Sequence, residues 1–588
     1  MRTALTLALL LGSTAAGAFE LHLTTDGDED LRGQIRGVSA LANADENGID
    51  DPDEIIAAVQ SDYRSILGAL YREGYYGPSI SIKVDGREGS SIPLISLPDN
   101  VNSVAITVEK GPRFSFGRTE VSPLAPDTDL PDGFATGETA RAPLVGAARD
   151  AAIDGWRAVS HAKAEMVTQS VIADHPERRL DVAIGIDPGP RVTFGTLLVA
   201  GETIVSERRV RKIAGLPEGG AYSPEDLDLV ANRLQRTGAF RSVTLTEART
   251  LGEGNTLDIT AKVVDETPRR FGFGAELSSL EGGTLSAYWM HRNLTANADR
   301  LRFDGEISGL GGSTGIDVSL SASYRRPATF HAKYTALLGA QIEHINDPGY
   351  RANTGEFSFG VEVEASRLSQ VTASIGYRYS DVSDAFGNRS FHHIIFPVAG
   401  ERDMRDDALD TKHGTYAAAE IMPFVGLSGS QSGVRVTSDF RGYLSFGEDD
   451  RVTLAGRVQT GSVFGANTGD VPPDFLFFSG GGGSVRGQPY QSLGIPVGGS
   501  FAGGRGMFAF STELRAMVTD KIGVVGFADL GAIGTDPIPT RGATWHAGAG
   551  LGVRYHTGFG PIRLDLALPV SGTTGDGLQL YVGIGQAF

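Results

Sequence analysis

Phe478-Ser479-Gly480-Gly481-Gly482-Gly483-Ser484-Val485-Arg486-Gly487-Gln488-Pro489-Tyr490 sets four consecutive glycines ahead of an arginine held between Val485 and Gly487. The glycines mark a loop, and the Lys-Ser/Thr of a phosphate-cradling loop is missing. Downstream, Gly503-Gly504 leads into residues 507–518 and then into Gly526-Phe527-Ala528-Asp529-Leu530-Gly531. The segments on either side of the loop alternate strictly. Leu301, Phe303, Gly305 and Ile307 alternate with Arg302, Asp304, Glu306 and Ser308. Val371, Ala373, Ile375, Tyr377 and Tyr379 alternate with Thr372, Ser374, Gly376, Arg378 and Ser380, and Ile562, Leu564, Leu566 and Leu568 with Arg563 and Asp565. A period of two puts one oily and one polar face on each strand.

A soluble sandwich and a membrane barrel both alternate. Sandwich strands usually run five or six residues, and these are longer; strands of about nine to eleven residues with a polar lumen suit a membrane barrel. The 321 residues from 268 to 588, at about twenty per strand and turn, give about sixteen strands, an even number as closure prefers. The oily face then meets outer-membrane lipid.

The two ends of the chain fit export. Residues 1–18 carry Arg2, an apolar run over 5–11 and Ala16-Gly17-Ala18, which predicts a secretory signal peptide. The last residue is Phe588, preceded by Leu578, Leu580, Val582 and Ile584 at every second position. No later stretch is apolar enough for a spanning helix, so any membrane-embedded part is built of strands.

Upstream of 268 a unit repeats. Gly111-Pro112-Arg113, Gly189-Pro190-Arg191 and Thr267-Pro268-Arg269 share a Pro-Arg step, and both intervals between the prolines are 78 residues. Equal intervals point to a tandem module. Helical spacing over 54–70, 144–159 and 224–234, each followed by strand-like runs, makes every unit a small α+β domain. Asp53 is the expected N-cap of the first helix.

Composition narrows the chemistry. With no cysteine among 588 residues, disulfide frameworks, thiolate nucleophiles and cysteine metal sites are excluded. A net charge of −19 argues against nucleic acid as a partner. Asn43, Asp45, Asn47, Gly48, Asp51 and Glu54 fall on calcium-loop positions, but Pro52 and the leading Asn43 favour a capped linker. Gly311-Gly312-Ser313-Thr314-Gly315 matches a nucleophile elbow only formally, because a hairpin turn fits its setting between two strands. No catalytic residue, metal or cofactor is expected.

Val485-Arg486-Gly487 and Phe527-x-Asp529-x-Gly531 resemble the loop tip and inner-strand motif of the superfamily that joins periplasmic POTRA domains to a sixteen-stranded outer-membrane barrel. The resemblance implies α+β POTRA repeats followed by an all-β 16-stranded transmembrane barrel. Its domains would be POTRA units at 19–111, 112–190 and 191–267 and a barrel at 268–588. It also implies that Val485, Arg486, Gly487 and Tyr490 anchor the sixth extracellular loop against Phe527, Asp529 and Gly531. Gln488 stands where the family has an aromatic residue, with Tyr490 two positions on. An arginine facing a carboxylate can form a charge-assisted, often bidentate pair, and Asp529 is the expected partner of Arg486.

Three POTRA units are similar to the TamA family within that superfamily; the BamA family has five and two-partner secretion transporters have two. The resemblance implies assembly or secretion of unfolded outer-membrane proteins, with a TamB-like periplasm-spanning partner. A transporter for one exoprotein is the alternative, and a POTRA-barrel enzyme a more distant one. The implied working part is a lateral seam between the first and last strands, with Phe271, Phe273, Gly583, Gly585 and Phe588 along it. Gly583 and Gly585 lack side chains to pack, which weakens strand pairing.

Overall fold

The computed structural model describes residues 19–93, 98–278, 282–312, 315–366, 368–540, 542–558, 560–574 and 577–588. The expected signal peptide and the Ser313-Thr314 step lie outside these described residues. The chain divides into two compact units: Met1–Gly195 with Gly219–Pro224 and Thr250–Leu257, and Thr196–Glu218 with Glu225–Arg249 and Asp258–Phe588.

The first half is a run of small α+β sheets. In the first, Glu20–Thr25, Ser103–Glu109, Ser79–Val84 and Arg87–Glu88 lie side by side in that order. The helix Pro52–Arg72 covers them, burying Ile55, Ile56, Val59, Ile66 and Leu70 against Ile82, Val104 and Ile106. This helix begins earlier than its periodicity predicts, and Asp51 rather than Asp53 caps it. Pro52 supplies the preset φ of a first helical turn, which puts the Asp51 carboxylate in reach of the Asp53 amide at 2.8 Å. Asn43 and Asp45 belong to the helix Ala40–Glu46, and no metal-holding group of three or more such ligands occurs among the described residues.

The second sheet runs Ser115–Ser122, Arg179–Asp187, Glu165–Asp174, with the helix Ala142–Ala158 on it. The third runs Thr193–Ala200, Thr256–Asp265, Phe240–Glu247, with helices Glu207–Ala214 and Pro224–Arg236. Three helices escaped periodicity: Glu29–Val38, Ala40–Glu46 and Glu207–Ala214. None exceeds ten residues, too few turns for a 3.6-residue pattern to stand out.

From Arg269 a closed antiparallel barrel begins. Its strands are β1 (Arg269–Ser278), β2 (Gly282–His291), β3 (Arg300–Leu310), β4 (Asp317–Arg326), β5 (Tyr334–Asp347), β6 (Tyr350–Ser366), β7 (Ser369–Asp384), β8 (Gly387–Ile395), β9 (Val398–Asp403), β10 (Gly414–Leu427), β11 (Gly433–Phe446), β12 (Val452–Phe464), β13 (Gly506–Met517), β14 (Ile522–Gly534), β15 (Thr544–Thr557), β16 (Gly560–Ser571) and β17 (Gln579–Ile584). β8 and β9 are one pass. β7 pairs with β8 over 376–384 and with β9 over 369–373, and the break falls at Phe396-Pro397, where proline offers no amide to the ladder. Seventeen segments thus make sixteen passes.

Large apolar side chains such as Phe303, Leu320, Ile342, Phe357, Phe440 and Leu551 stand exposed on the outer face. Such a surface suits lipid, not water. Among the described residues no helix is long and apolar enough to cross a membrane. The closure is thin: β1 pairs with β2 from Arg269 to Ser278, but with β17 only at Ser278 and Tyr581 among the described residues. β17 covers six residues, half the length of β16.

Candidate functional site

The long loop between β12 and β13 folds inward. Phe475, Leu476, Phe477, Leu493, Ile495 and Ala502 bury themselves with Val463, Phe424 and Ile533 of the wall. The Ser479 and Leu493 main chains exchange hydrogen bonds of 3.1 and 2.9 Å, which closes a tip carrying Val485, Arg486 and Gly487. Two glycines make room for that tip. Gly487 has φ +86°, and a Cβ there would lie 2.6 Å from the Leu568 oxygen; a Cβ on Gly531 would lie 2.8 Å from Cγ2 of Val485.

Arg486 ends up 3% exposed. Its Nε donates to Asp529 Oδ2 at 2.7 Å and its Nη2 to Oδ1 at 3.0 Å, a bidentate pair completed by its own main-chain amide at 3.0 Å from Oδ2. The third nitrogen, Nη1, donates to Glu513 Oε1 at 2.6 Å and Asp565 Oδ2 at 3.4 Å. The guanidinium lies 3.7 Å from the ring centroid of Phe527, a cation–π arrangement.

The pair is part of a larger cluster. Arg515 Nε donates to Glu513 Oε2 at 2.8 Å, and Arg554 Nη1 donates to Asp565 Oδ1. Three arginines and three carboxylates from the loop, β13, β14, β15 and β16 are therefore removed from water together. Taking one charge out of water costs several kcal/mol, which only close opposite charges and hydrogen bonds offset.

The chain terminus joins the same cluster. Arg515 Nη2 donates to the Phe588 main-chain oxygen at 3.1 Å, Arg554 Nε to Gln586 Oε1 at 2.8 Å, and Gln586 Nε2 to Asp410 Oδ1 at 2.9 Å. Phe588, expected on the seam, lies instead inside the barrel against Tyr443 and Ala455. The turn inward comes at Gly585, whose φ of +86° is left-handed.

Phe271 and Phe273 do lie on β1, the latter 85% exposed on the outer face. Gly583 pairs with Arg563 on β16. Tyr490 is half-buried, and its hydroxyl accepts from Gln491 Nε2 at 2.9 Å; it does not take the place of the missing aromatic. Gln488 fills that place with polar contacts. Fully buried, its Nε2 donates to the oxygens of Ala547 at 2.8 Å and Ser571 at 3.0 Å, and its Oε1 accepts from Thr574 at 2.9 Å. Thr574 in turn contacts His546 Nδ1 at 3.1 Å, whose Nε2 meets Ser479 Oγ at 2.8 Å.

Sequence reasoning missed Glu513, Arg515, Arg554 and Asp565. The available signal was charge on the lumen-facing parity of late strands, as in Glu513-Leu514-Arg515, where Leu514 is exposed on the other face.

Residues 293–588 match the Omp85 superfamily domain, about half of the chain, and the chain belongs to the Omp85 superfamily. In fold it is similar to BamA from Haemophilus ducreyi lacking POTRA domains 1–3, with a TM-score of 0.58 at 16% identity, covering 80% of this chain and 99% of that one. It is also similar to CdiB from Acinetobacter baumannii, with a TM-score of 0.51 at 12% identity, covering 81% of this chain and 91% of the other. The barrel and the POTRA-like α+β modules before it are those of an outer-membrane protein with periplasmic POTRA domains.

Proposed function

We propose that the protein is an outer-membrane assembly and translocation factor of the TamA kind. It helps insert or secrete barrel or autotransporter-type chains through a lateral seam between β1 and β17, while its POTRA domains dock unfolded substrate or a TamB-like partner. One observation carries this reading: among the described residues the two strands are joined only at Ser278 and Tyr581. A strand edge without a partner presents free N–H and C=O groups to which an incoming strand adds. The inward turn at Gly585 shortens the last strand and supports the same reading. In this role the buried arginine cluster holds the sixth loop and the terminus; no bond is made or broken, and no catalytic residue or cofactor takes part.

The test uses the absence of native cysteine. Ser278→Cys with Tyr581→Cys places two thiols on a directly paired position of an otherwise cysteine-free chain. Oxidation should stop substrate assembly and reduction should restore it. Full assembly by the oxidised protein sinks the seam, and secretion of one exoprotein through the locked barrel favours the conduit alternative instead.

A further inference from the structure

Where the third α+β module meets the barrel, a cavity of about 120 Å³ opens beside the turn between β4 and β5. Arg233 and Arg236 of the helix Pro224–Arg236, Arg300 of β3, Arg325 of β4 and Lys333 line it, against only two carboxylates, Glu362 and Glu364 of β6. Both carboxylates are already engaged. Arg233 Nε donates to Glu364 Oε2 at 2.6 Å, and Arg325 Nη2 to Glu362 Oε2 at 2.6 Å. Arg300 and Lys333 make no ion pair among the described residues.

The register sharpens the imbalance. Arg300 and Arg325 are direct cross-strand partners, a like-charge juxtaposition that destabilises a sheet unless an anion comes between. The junction itself is stiff: Arg209 donates to the main-chain oxygens of Asn297 and Ala328 at 3.0 Å each, and Lys212 Nζ to the Thr329 oxygen at 3.0 Å. Of the cavity's own cations, Arg233 and Arg325 are held in place by Glu364 and Glu362.

We propose that this cavity is a binding site for carboxylate side chains of an acidic segment in an unfolded substrate entering the barrel from the periplasmic side. The inference rests on the assembly function proposed above and names what that function recognises. Arg300 and Arg325 share the lumen parity of their strands, because the neighbouring Phe303 and Leu320 face outward; a lipid headgroup would approach from the other face. Carboxylate is also the acceptor to which Arg233 and Arg325 already donate, at Glu364 and Glu362. Ile213, Ala298 and Pro327 give the cavity apolar walls for a peptide stem.

The experiment uses the full-length protein in neutral-lipid nanodiscs and a fluorescein-labelled polyglutamate peptide, with polyglutamine as control. Polyglutamate should bind and polyglutamine should not, and Arg300→Gln should weaken binding about tenfold. Lys333→Gln, at an exposed position, should weaken it in the same direction and serves if Arg300→Gln fails to fold. Equal polyglutamate binding by the wild type and either folded variant overturns the proposal. Displacement by equimolar inorganic phosphate, or binding that requires anionic phospholipid in the disc, also overturns it. The cysteine lock at 278 and 581 keeps the two readings apart: a lock without effect on assembly, with peptide binding intact, refutes the seam and leaves the cavity standing.

Discussion

Arg515 holds Phe588 by its main-chain oxygen at 3.1 Å while its other edge engages Glu513 at 2.8 Å. One guanidinium therefore ties the last residue of the chain to the carboxylate that also receives Arg486. Removing it by Arg515→Ala leaves Glu513 with one fewer partner in a dry site, at a cost of about 3–5 kcal/mol. The terminal residues of that variant should be released by carboxypeptidase from folded protein, whereas those of the wild type resist.

Arg486→Ala strips Asp529 of its bidentate partner and Glu513 of its closest cation. Breaking a buried pair from one side again costs about 3–5 kcal/mol. The loop at 465–505 should become sensitive to protease added from outside, and substrate assembly should fall, while the barrel still runs as a folded species on unheated gels. Normal assembly in this variant removes the anchor role.

Gln488→Phe supplies the aromatic residue expected at the loop tip, yet it should destabilise this protein. Two main-chain oxygens and the Thr574 hydroxyl lose their partner in a buried site, each at about 1–3 kcal/mol. The temperature at which the barrel unfolds on gels should drop; an unchanged or raised temperature refutes the polar-tip account.

Asp28 caps the helix Glu29–Val38 through the Leu31 amide at 3.0 Å and accepts from Lys110 Nζ at 2.7 Å. The Lys110 hydrogen bond, with the Leu31 amide, holds its carboxyl below the ordinary value. A depressed carboxylate contributes stability that is fully present above about pH 4 and is lost as pH falls through its own lowered pKa. Hydrogen exchange across residues 29–38 should accelerate below about pH 4, and Asp28→Asn, which keeps a good cap, should flatten that acid response.

The alternation of Leu301 to Ser308 was enough to read a barrel wall, because period two reports which face each residue takes. It does not report which residues meet across the lumen. Asp529 was legible as the partner of Arg486 only through two short motifs, whereas Glu513 and Asp565 approach Arg486 from strands 27 and 79 residues away. Phe588 continues the spacing of Leu580, Val582 and Ile584, and that spacing placed it on the seam. The left-handed Gly585 and the polar Gln586 break the strand just before it. Gln488 read as a departure from a motif, because its partners Ala547, Ser571 and Thr574 become neighbours only after the loop has folded inward.

The three arginines and three carboxylates of the buried cluster all lie between Arg486 and Asp565. In chain order they follow the first eleven passes of the barrel wall. Until β16 brings in Asp565, the wall therefore leaves three buried arginines with only two carboxylates, and only the closing strands together balance the interior. The loop and strands β13 to β16 are thereby coupled: none of them is buried at low cost until the others are in place.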